Sequence, residues 1–162
     1  MGANVPILIR QGGVWRLITA AVLHINFMHF FGNISSTIIL LSRFEYTFGT
    51  LNCIIIYLVT AIVGNIFSAL CNTTTIKAGA STCLYGLLGV MIGYIIINWR
   101  GFEKIGPILK CQLVCLCLML IIFTILFTSV GPNNIDYFGH LGSFLAGLFI
   151  SGINDTILKT LC

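Results

Sequence analysis

The sequence predicts an all-α fold, a polytopic bundle of membrane helices, from its composition and from the spacing of its charges. Of the 162 residues, 58% are hydrophobic and only 7% are charged, and the mean hydropathy is +1.07. Soluble domains carry about 25% charged residues, so this composition excludes an ordinary soluble domain. The charges leave five gaps, each long enough for the ~17–25 residues that a membrane helix needs. These gaps are residues 17–42, 46–76, 78–99, 111–135 and 137–154.

The first 27 residues are predicted to form an N-terminal segment and an interfacial helical loop. Trp15 and Arg16 suit the membrane interface, because the indole lies at headgroup depth while the guanidinium reaches water. Residues 17–42 hold too many polar groups for one lipid-facing helix, so we interpret residues 17–27 as a short interfacial helix. No signal peptide is expected, because residues 1–11 contain no apolar run that ends in a small-residue cleavage site.

Residues 28–158 are interpreted as one transmembrane domain of about five helices. The predicted spans are residues 28–42, 51–70, 81–99, 111–129 and 137–154. An odd number of spans puts the termini on opposite sides of the membrane, and the side with more cations is expected to be cytoplasmic. A cytoplasmic C-terminus is favoured, because it places five cations on the cytoplasmic side and three outside. The five are Arg43, Arg100, Lys104, Lys110 and Lys159, and the three are Arg10, Arg16 and Lys77. The secretory pathway or plasma membrane is favoured over mitochondria, because the N-terminus is not an Arg- and Ser-rich transit peptide.

Three polar islands interrupt the apolar spans, and together they hold all three histidines of the chain. In the first island His29 and Asn33 are four residues apart, so both side chains lie on one face of a helix. Polar groups inside a membrane helix are costly unless they find partners. This pair therefore predicts either a functional site or a structural hydrogen bond to a neighbouring helix. His24 is expected to be structural and to hold the preceding loop.

The second island is centred on Ser81, which begins the third span. A residue at a helix start lies among unsatisfied backbone N–H groups, where the helix dipole favours developing negative charge. Gly79 permits close backbone approach before the serine, and Tyr85 follows one turn after it. The alternative is that serine and glycine serve only the close packing of membrane helices.

The third island, residues 136–140, opens the last span and brings a histidine to its start. Small residues recur there in steps of four, which predicts a ridge that packs against the span at 81–99. The ridge consists of Gly139, Ser143, Gly147 and Ser151. If both helices begin on the same side of the membrane, Ser81 and His140 meet at similar depth.

A serine that meets a histidine in this way suits acyl transfer. The hydroxyl is a poor nucleophile until a base within about 2.6–3.2 Å takes its proton, and His140 is the candidate base. Asp136 is expected to lie in the loop, so no acidic third member is predicted, and Tyr85 is the candidate to pack against the imidazole. An oxyanion also needs preorganised donors. The candidates are the backbone N–H of Ser81 and the side chains of His29 and Asn33. The alternative is a buried polar network that only joins three helices.

Together these motifs resemble the rhomboid family of intramembrane serine proteases. The similarity covers nearly the whole chain from about residue 12, and it rests on Trp15-Arg16, on His24, His29 and Asn33, on Gly79 to Ser81 with Tyr85, and on Gly139-His140 with Ser143 and Gly147. The resemblance implies that Ser81 is the nucleophile, that His140 is the general base, and that His29 and Asn33 stabilise the oxyanion. It also implies single-pass transmembrane substrates in a lipid bilayer, cleaved near the membrane surface, with no cofactor and no metal.

Three features depart from the family's usual pattern. Thr82 replaces the second glycine of Gly-x-Ser-Gly, and its β-branched side chain is expected to add bulk beside the nucleophile. On that basis Thr82→Gly should raise activity. Ser143 stands where glycine is usual. The sequence also shows no counterpart of the helix that precedes the Trp-Arg motif in the family's six-helix core, so a truncated or short form is expected.

The sequence leaves one other class of protein open and disfavours several more. A catalytically inactive rhomboid-like protein that binds transmembrane clients for trafficking or degradation would keep the fold without the catalytic groups. A channel or transporter is expected to have charged intramembrane pairs or an inverted repeat, which this sequence lacks. Nucleic-acid binding is not predicted, because the cations are scattered between spans. Cysteines 111, 115 and 117 do not form a zinc pattern. Oligomeric state and use of the glycosylation sequon at Asn72 stay open.

Overall fold

The computed structural model describes residues 2–101, 135–161 and scattered positions between 111 and 122. In these parts the chain is an all-α bundle, as the sequence predicts, with one isolated β-bridge between Asn4 and Lys77. The scattered positions between 111 and 122 are helical. The named helices are α1 (Pro6–Arg10), α2 (Arg16–Thr19) followed by a 3-10 turn (Ala20–Val22), α3 (Phe27–Phe48), α4 (Thr50–Cys71), α5 (Ser81–Ile97) and α6 (Tyr137–Leu161).

The four long helices α3 to α6 cover four of the predicted spans, while the span at 111–129 lies largely outside the described residues. Among the described residues, α4 alone is long and apolar enough to cross a membrane by itself. A second span would follow only if Arg16–Val22 and Phe27–Phe48 form one broken span, bent by 94°. The apolar stretches of α5 and α6 are shorter. The five-span topology and the boundaries at 1–27 and 28–158 therefore stay predictions.

Capping side chains and glycines set the ends of the long helices. Asn26 caps α3, because its side chain accepts a hydrogen bond from the His29 N–H at 2.8 Å. Gly49 has a positive φ of 77°, which ends α3 and begins α4 within one residue. Gly79, with a φ of 156°, shapes the turn that leads into α5. These three positions decide where the polar islands stand relative to the helices.

Helix α5 is the centre of the bundle and packs against α3, α4 and α6. Its residues Cys83, Leu87 and Val90 are fully buried, and most of its other side chains are buried as well. A helix that is apolar on all sides is expected to lie inside a bundle. Ser81, its first residue, is therefore held at the end of the best-packed element of the protein.

The small-residue ridge of α6 faces two helices, not α5 alone as the sequence predicts. A Cβ on Gly147 would overlap the carbonyl of Gly86 in α5, and a Cβ on Gly93 would overlap Ser151. Ser143 instead faces α4, where its hydroxyl donates to the Thr60 carbonyl at 3.0 Å. Successive ridge residues turn slowly around a helix of 3.6 residues per turn, so a stripe in steps of four reaches more than one neighbour. The serine in place of the usual glycine thus has a partner in α4.

The N-terminal segment folds across the end of the bundle where α5 and α6 begin. Asn4 is fully buried, and its Nδ2 donates to both the carbonyl and the side-chain oxygen of Asn65 in α4 at 3.0 Å. Its backbone pairs with Lys77 through hydrogen bonds of 2.8 and 3.0 Å. Arg16 donates to the Ala3 carbonyl at 3.0 Å, while the Trp15 side chain is exposed. This segment is therefore tied to the loop that leads to Ser81.

Candidate active site

Ser81 and His140 lie side by side at the starts of α5 and α6. The distance between Ser81 Oγ and His140 Nε2 is 2.8 Å, and each residue is only 6% exposed. The glycine contacts between the two helices set this distance, because they let the backbones approach closely. A hydroxyl at hydrogen-bond distance from an imidazole nitrogen is the arrangement that activates a serine nucleophile. The structure thus brings together the two residues that the sequence predicts as nucleophile and base.

Tyr85 packs against the imidazole of His140. The ring centroids are 4.2 Å apart and the planes are inclined by 14°, so the two rings are stacked. Tyr85 lies one helical turn after Ser81, which puts its ring beside the same partner. The stack limits rotation of the imidazole, and among the described residues no carboxylate is hydrogen-bonded to that ring.

His29 and Asn33 approach the site from α3. The His29 ring lies against the backbone of Gly79, where an added Cβ would come within 2.6 Å of its Cε1 atom. Asn33 is 5% exposed, and its Nδ2 has no hydrogen-bond partner among the described residues. A buried donor without a partner is costly, so it is typical of a functional site. Both side chains remain candidates for oxyanion stabilisation.

His24 contacts the loop before Ser81, a different segment from the one the sequence suggests. Its Nε2 accepts a hydrogen bond from the Ala80 N–H at 3.5 Å, and its ring meets that of His29 edge-on at 5.5 Å. Burial, and secondarily the charge of His29, lower the pKa of His24 below its ordinary value of 6.5. A lowered pKa keeps the imidazole neutral near pH 7, as an accepting nitrogen requires.

Thr82 points between the helices and not towards an open face. It is 3% exposed, and its hydroxyl donates to the Gly79 carbonyl at 3.5 Å. Its methyl group lies where a Cβ on Gly139 would come within 3.0 Å. The bulk that replaces the usual glycine is therefore accommodated against α6. This placement changes the expected effect of Thr82→Gly, because removal of the side chain would leave a gap between α5 and α6.

Sequence reasoning missed two polar residues that surround the dyad. Asp136 lies in the loop, as the sequence predicts, and its carboxylate there caps α6 and accepts a hydrogen bond from Ser68. Lys77 is 6% exposed, and its ammonium donates to the Ile135 carbonyl at 3.4 Å. Asp is a preferred residue directly before a helix, so Asp136 at the start of the last predicted span is a capping signal that the sequence already contains. For Lys77 the sequence offered no signal, because a loop lysine is ordinarily solvated.

No metal-binding group is seen in the described part of the chain. Within residues 2–101, 135–161 and the scattered positions between them, no three His, Cys, Asp or Glu side chains are arranged to hold a metal ion. Cys111 and Cys115 are exposed neighbours with their sulfurs 3.9 Å apart.

Comparison with known proteins connects this geometry to a family. The family model described as Rhomboid domain matches residues 11–154. The chain belongs to the rhomboid family. Rhomboid-like protease 1 of Toxoplasma gondii is 37% identical to this rhomboid over 152 residues, which cover 92% of this chain and 50% of that protein. RHOMBOID-like protein 5 of Arabidopsis thaliana is 33% identical over 153 residues, covering 93% and 47% respectively. Rhomboid-like protease 2 of Toxoplasma gondii is 32% identical over 155 residues, covering 94% and 51%.

Family membership confirms the resemblance seen in the sequence and the rhomboid-like all-α fold. It also implies an integral membrane protein. The chain spans about half the length of the curated relatives that it matches. Activity, substrates and the roles of individual site residues in this rhomboid are therefore matters of proposal.

Proposed function

We propose that this rhomboid is an intramembrane serine endopeptidase that uses Ser81 and His140 as a catalytic dyad. The observation that carries the proposal is the 2.8 Å contact between Ser81 Oγ and His140 Nε2 in a buried position. Two of the similar proteins are named rhomboid-like proteases, which supports the same class of reaction. The proposed substrates are single-pass transmembrane proteins, cleaved near the surface of the lipid bilayer.

In the proposed mechanism, neutral His140 accepts the hydroxyl proton while Ser81 Oγ attacks the carbonyl carbon of the scissile peptide bond. The tetrahedral intermediate carries its negative charge on the former carbonyl oxygen. His140 then donates the proton to the leaving amine, the C–N bond breaks, and an acyl-Ser81 intermediate remains. Water, deprotonated by the same imidazole, attacks this ester, the bond between the acyl carbon and Ser81 Oγ breaks, and the imidazolium returns the proton to Oγ as the second product leaves.

The oxyanion is proposed to be stabilised by donors from two helices. The backbone N–H of Ser81 lies in the first turn of α5, where no carbonyl of that helix accepts it. Asn33 offers a buried Nδ2 that has no partner within the described part of the chain, and His29 stands against Gly79, two residues before the nucleophile. Loss of one such donor costs other serine hydrolases about 100- to 1,000-fold in rate. Tyr85 supports the dyad by holding the plane of the imidazole.

Labelling of the detergent-purified protein with a fluorophosphonate serine probe tests the proposal. The wild type should be labelled, and Ser81→Ala should abolish labelling because the attacked oxygen is gone. His140→Ala should lower the labelling rate by at least about 100-fold, since members of one catalytic unit act together. Ser151→Ala is the matched control, because among the described residues this buried serine donates its hydrogen bond to Leu148 of the same helix and stands away from the dyad.

The outcomes separate the proposed activity from its alternative. Labelling that disappears in Ser81→Ala but persists in Ser151→Ala supports an activated serine at the proposed position. A well-folded wild type that is not labelled would reject the dyad and favour the inactive client-binding protein. Labelling that persists in Ser81→Ala would show that another serine reacts.

A further inference from the structure

The carboxylate of Asp136 links the start of α6 to the end of α4. Its Oδ1 accepts one hydrogen bond from the Ser68 hydroxyl at 2.6 Å and one from the Gly139 N–H at 3.1 Å. The Asp136 carbonyl accepts the His140 N–H at 2.9 Å. Both backbone donors next to the imidazole are therefore bound by a single residue, which is itself bound to α4.

A second connection runs from the nucleophile loop to the same point. Lys77 lies two residues before Gly79, and its ammonium donates to the carbonyl of Ile135, the neighbour of Asp136. The backbone of Lys77 is in turn held by Asn4. The loop that leads to Ser81 and the first turn of α6 are thus joined by side chains outside the dyad.

We propose that Asp136 is a positioning residue for His140, an inference that rests on the proposed protease function. Asp136 fixes the first turn of α6 and anchors it to α4 through Ser68. The depth of the imidazole relative to Ser81 Oγ depends on this anchor, because His140 stands in that first turn. Asp136 is not a third member of a triad, since its Oδ1 is bound to Ser68 and Gly139 rather than to the imidazole. Misplacement of a catalytic group by about 1 Å can cost about 100-fold in rate.

The two carboxylate oxygens have different surroundings, and this allows a sharp test. Oδ1 makes both hydrogen bonds, whereas Oδ2 is buried without a partner among the described residues. An asparagine keeps an oxygen at the Oδ1 position, and an alanine keeps neither. If Asp136 acts through these bonds, Asp136→Asn should restore most of what Asp136→Ala loses.

The experiment measures fluorophosphonate labelling at several probe concentrations, which separates the maximal rate from the half-saturating concentration. The variants are Asp136→Ala, Asp136→Asn and Ser68→Ala, with Ser151→Ala as the control for loss of a buried hydroxyl. Thermal unfolding is recorded in parallel, and rates are expressed per folded molecule. Asp136→Ala should lower the maximal rate about 10-fold or more with an unchanged half-saturating concentration. Ser68→Ala should lower it less, and Asp136→Asn should stay within about threefold of wild type.

The possible results distinguish this inference from the proposed function. A labelled wild type whose rate is unchanged in folded Asp136→Ala would overturn the positioning role and leave the dyad intact. A loss in Asp136→Ala that Asp136→Asn does not restore would also overturn it, because the bonds of Oδ1 would not be responsible. If Asp136→Ala does not fold, the other two variants decide. A lower rate in folded Ser68→Ala with a near-wild-type rate in Asp136→Asn would support the positioning role, and an unchanged rate in Ser68→Ala would overturn it. Absence of wild-type labelling would reject the proposed function and this inference together.

Discussion

At the scale of single residues, the site is a small polar cluster inside an apolar bundle. Ser81 and His140 are each 6% exposed, so the hydrogen bond between them satisfies groups that water does not reach. Asn33 Nδ2 differs from these two groups, since it is buried and has no partner among the described residues. A site that leaves one donor unpaired is prepared for a ligand atom, and the oxyanion of the proposed reaction supplies one.

Thr82→Gly is expected to destabilise the protein and not to raise activity. The substitution removes a buried side chain whose methyl lies near Gly139 and whose hydroxyl bonds the Gly79 carbonyl. It also places a glycine in the first turn of α5, and together these effects should cost about 1–3 kcal/mol of unfolding free energy. Thermal unfolding measures the stability of the variant, and fluorophosphonate labelling measures its activity.

The control for this substitution is Thr82→Ser, which keeps the hydroxyl and loses only the methyl. Its stability should lie between those of the wild type and Thr82→Gly. Faster labelling by Thr82→Gly at unchanged stability would contradict the structural argument. That result would restore the expectation drawn from the sequence alone.

His24 makes the loop before Ser81 sensitive to pH. Its pKa is lowered in the folded protein, so the unfolded chain binds more protons between the folded pKa and 6.5. The stabilising contribution is complete above pH 6.5 and is lost as the pH falls through the folded pKa. His24→Gln keeps an acceptor for the Ala80 N–H without titrating, and His29 and His140 are present in both proteins.

The melting temperature at pH 7.5 and pH 5 measures this contribution. The wild type should lose more stability on acidification than His24→Gln does. An equal loss in the two proteins would mean that His24 takes no part in the pH dependence.

At the scale of helices, glycines hold α5 and α6 close enough for the dyad to form. Gly147→Val should be strongly destabilising, because any side chain there overlaps the Gly86 carbonyl of α5. Overpacking of this kind costs about 1–3 kcal/mol. Fluorophosphonate labelling should fall as well, because the separation of the two helices moves His140 away from Ser81.

Gly152→Val is the matched control for this contact. Gly152 lies on the same helix, and an added Cβ there meets no atom of the described residues within 4 Å. Stability and labelling should stay close to wild type. If both valine variants behaved alike, helix propensity and not the contact with α5 would explain the loss.

At the scale of the whole molecule, the site lies at one end of the bundle. Helices α5 and α6 begin there, α4 ends there, and Lys77 and the N-terminal segment cover it. The larger number of cations at the other end of the bundle predicts that the end with the site is extracytoplasmic. Cys71, the exposed last residue of α4, belongs to the end with the site, whereas Cys111 belongs to the segment predicted to begin on the cytoplasmic side.

A membrane-impermeant maleimide tests this orientation in intact cells. Cys71 should be labelled and Cys111 should be protected, with the modified residues identified by mass spectrometry. Permeabilisation of the cells is the control and should make both cysteines reactive. Labelling of Cys111 alone before permeabilisation would reverse the topology.

The sequence by itself determined the all-α class, the starts of α5 and α6, and the residues that meet there. These features could be predicted because scarce charges, small-residue steps and polar groups in apolar spans are local signals. The cost of placing a polar group in a membrane helix, for example, does not depend on the rest of the chain. Tertiary structure alone decided that Ser143 faces α4, that Thr82 turns towards α6, and that Asp136 is bound to Ser68, 68 positions away. These contacts depend on the rotation of each helix about its own axis and on the level in the bundle at which each helix ends. Rotation and depth follow from the packing of all neighbours together, so no single stretch of sequence encodes them.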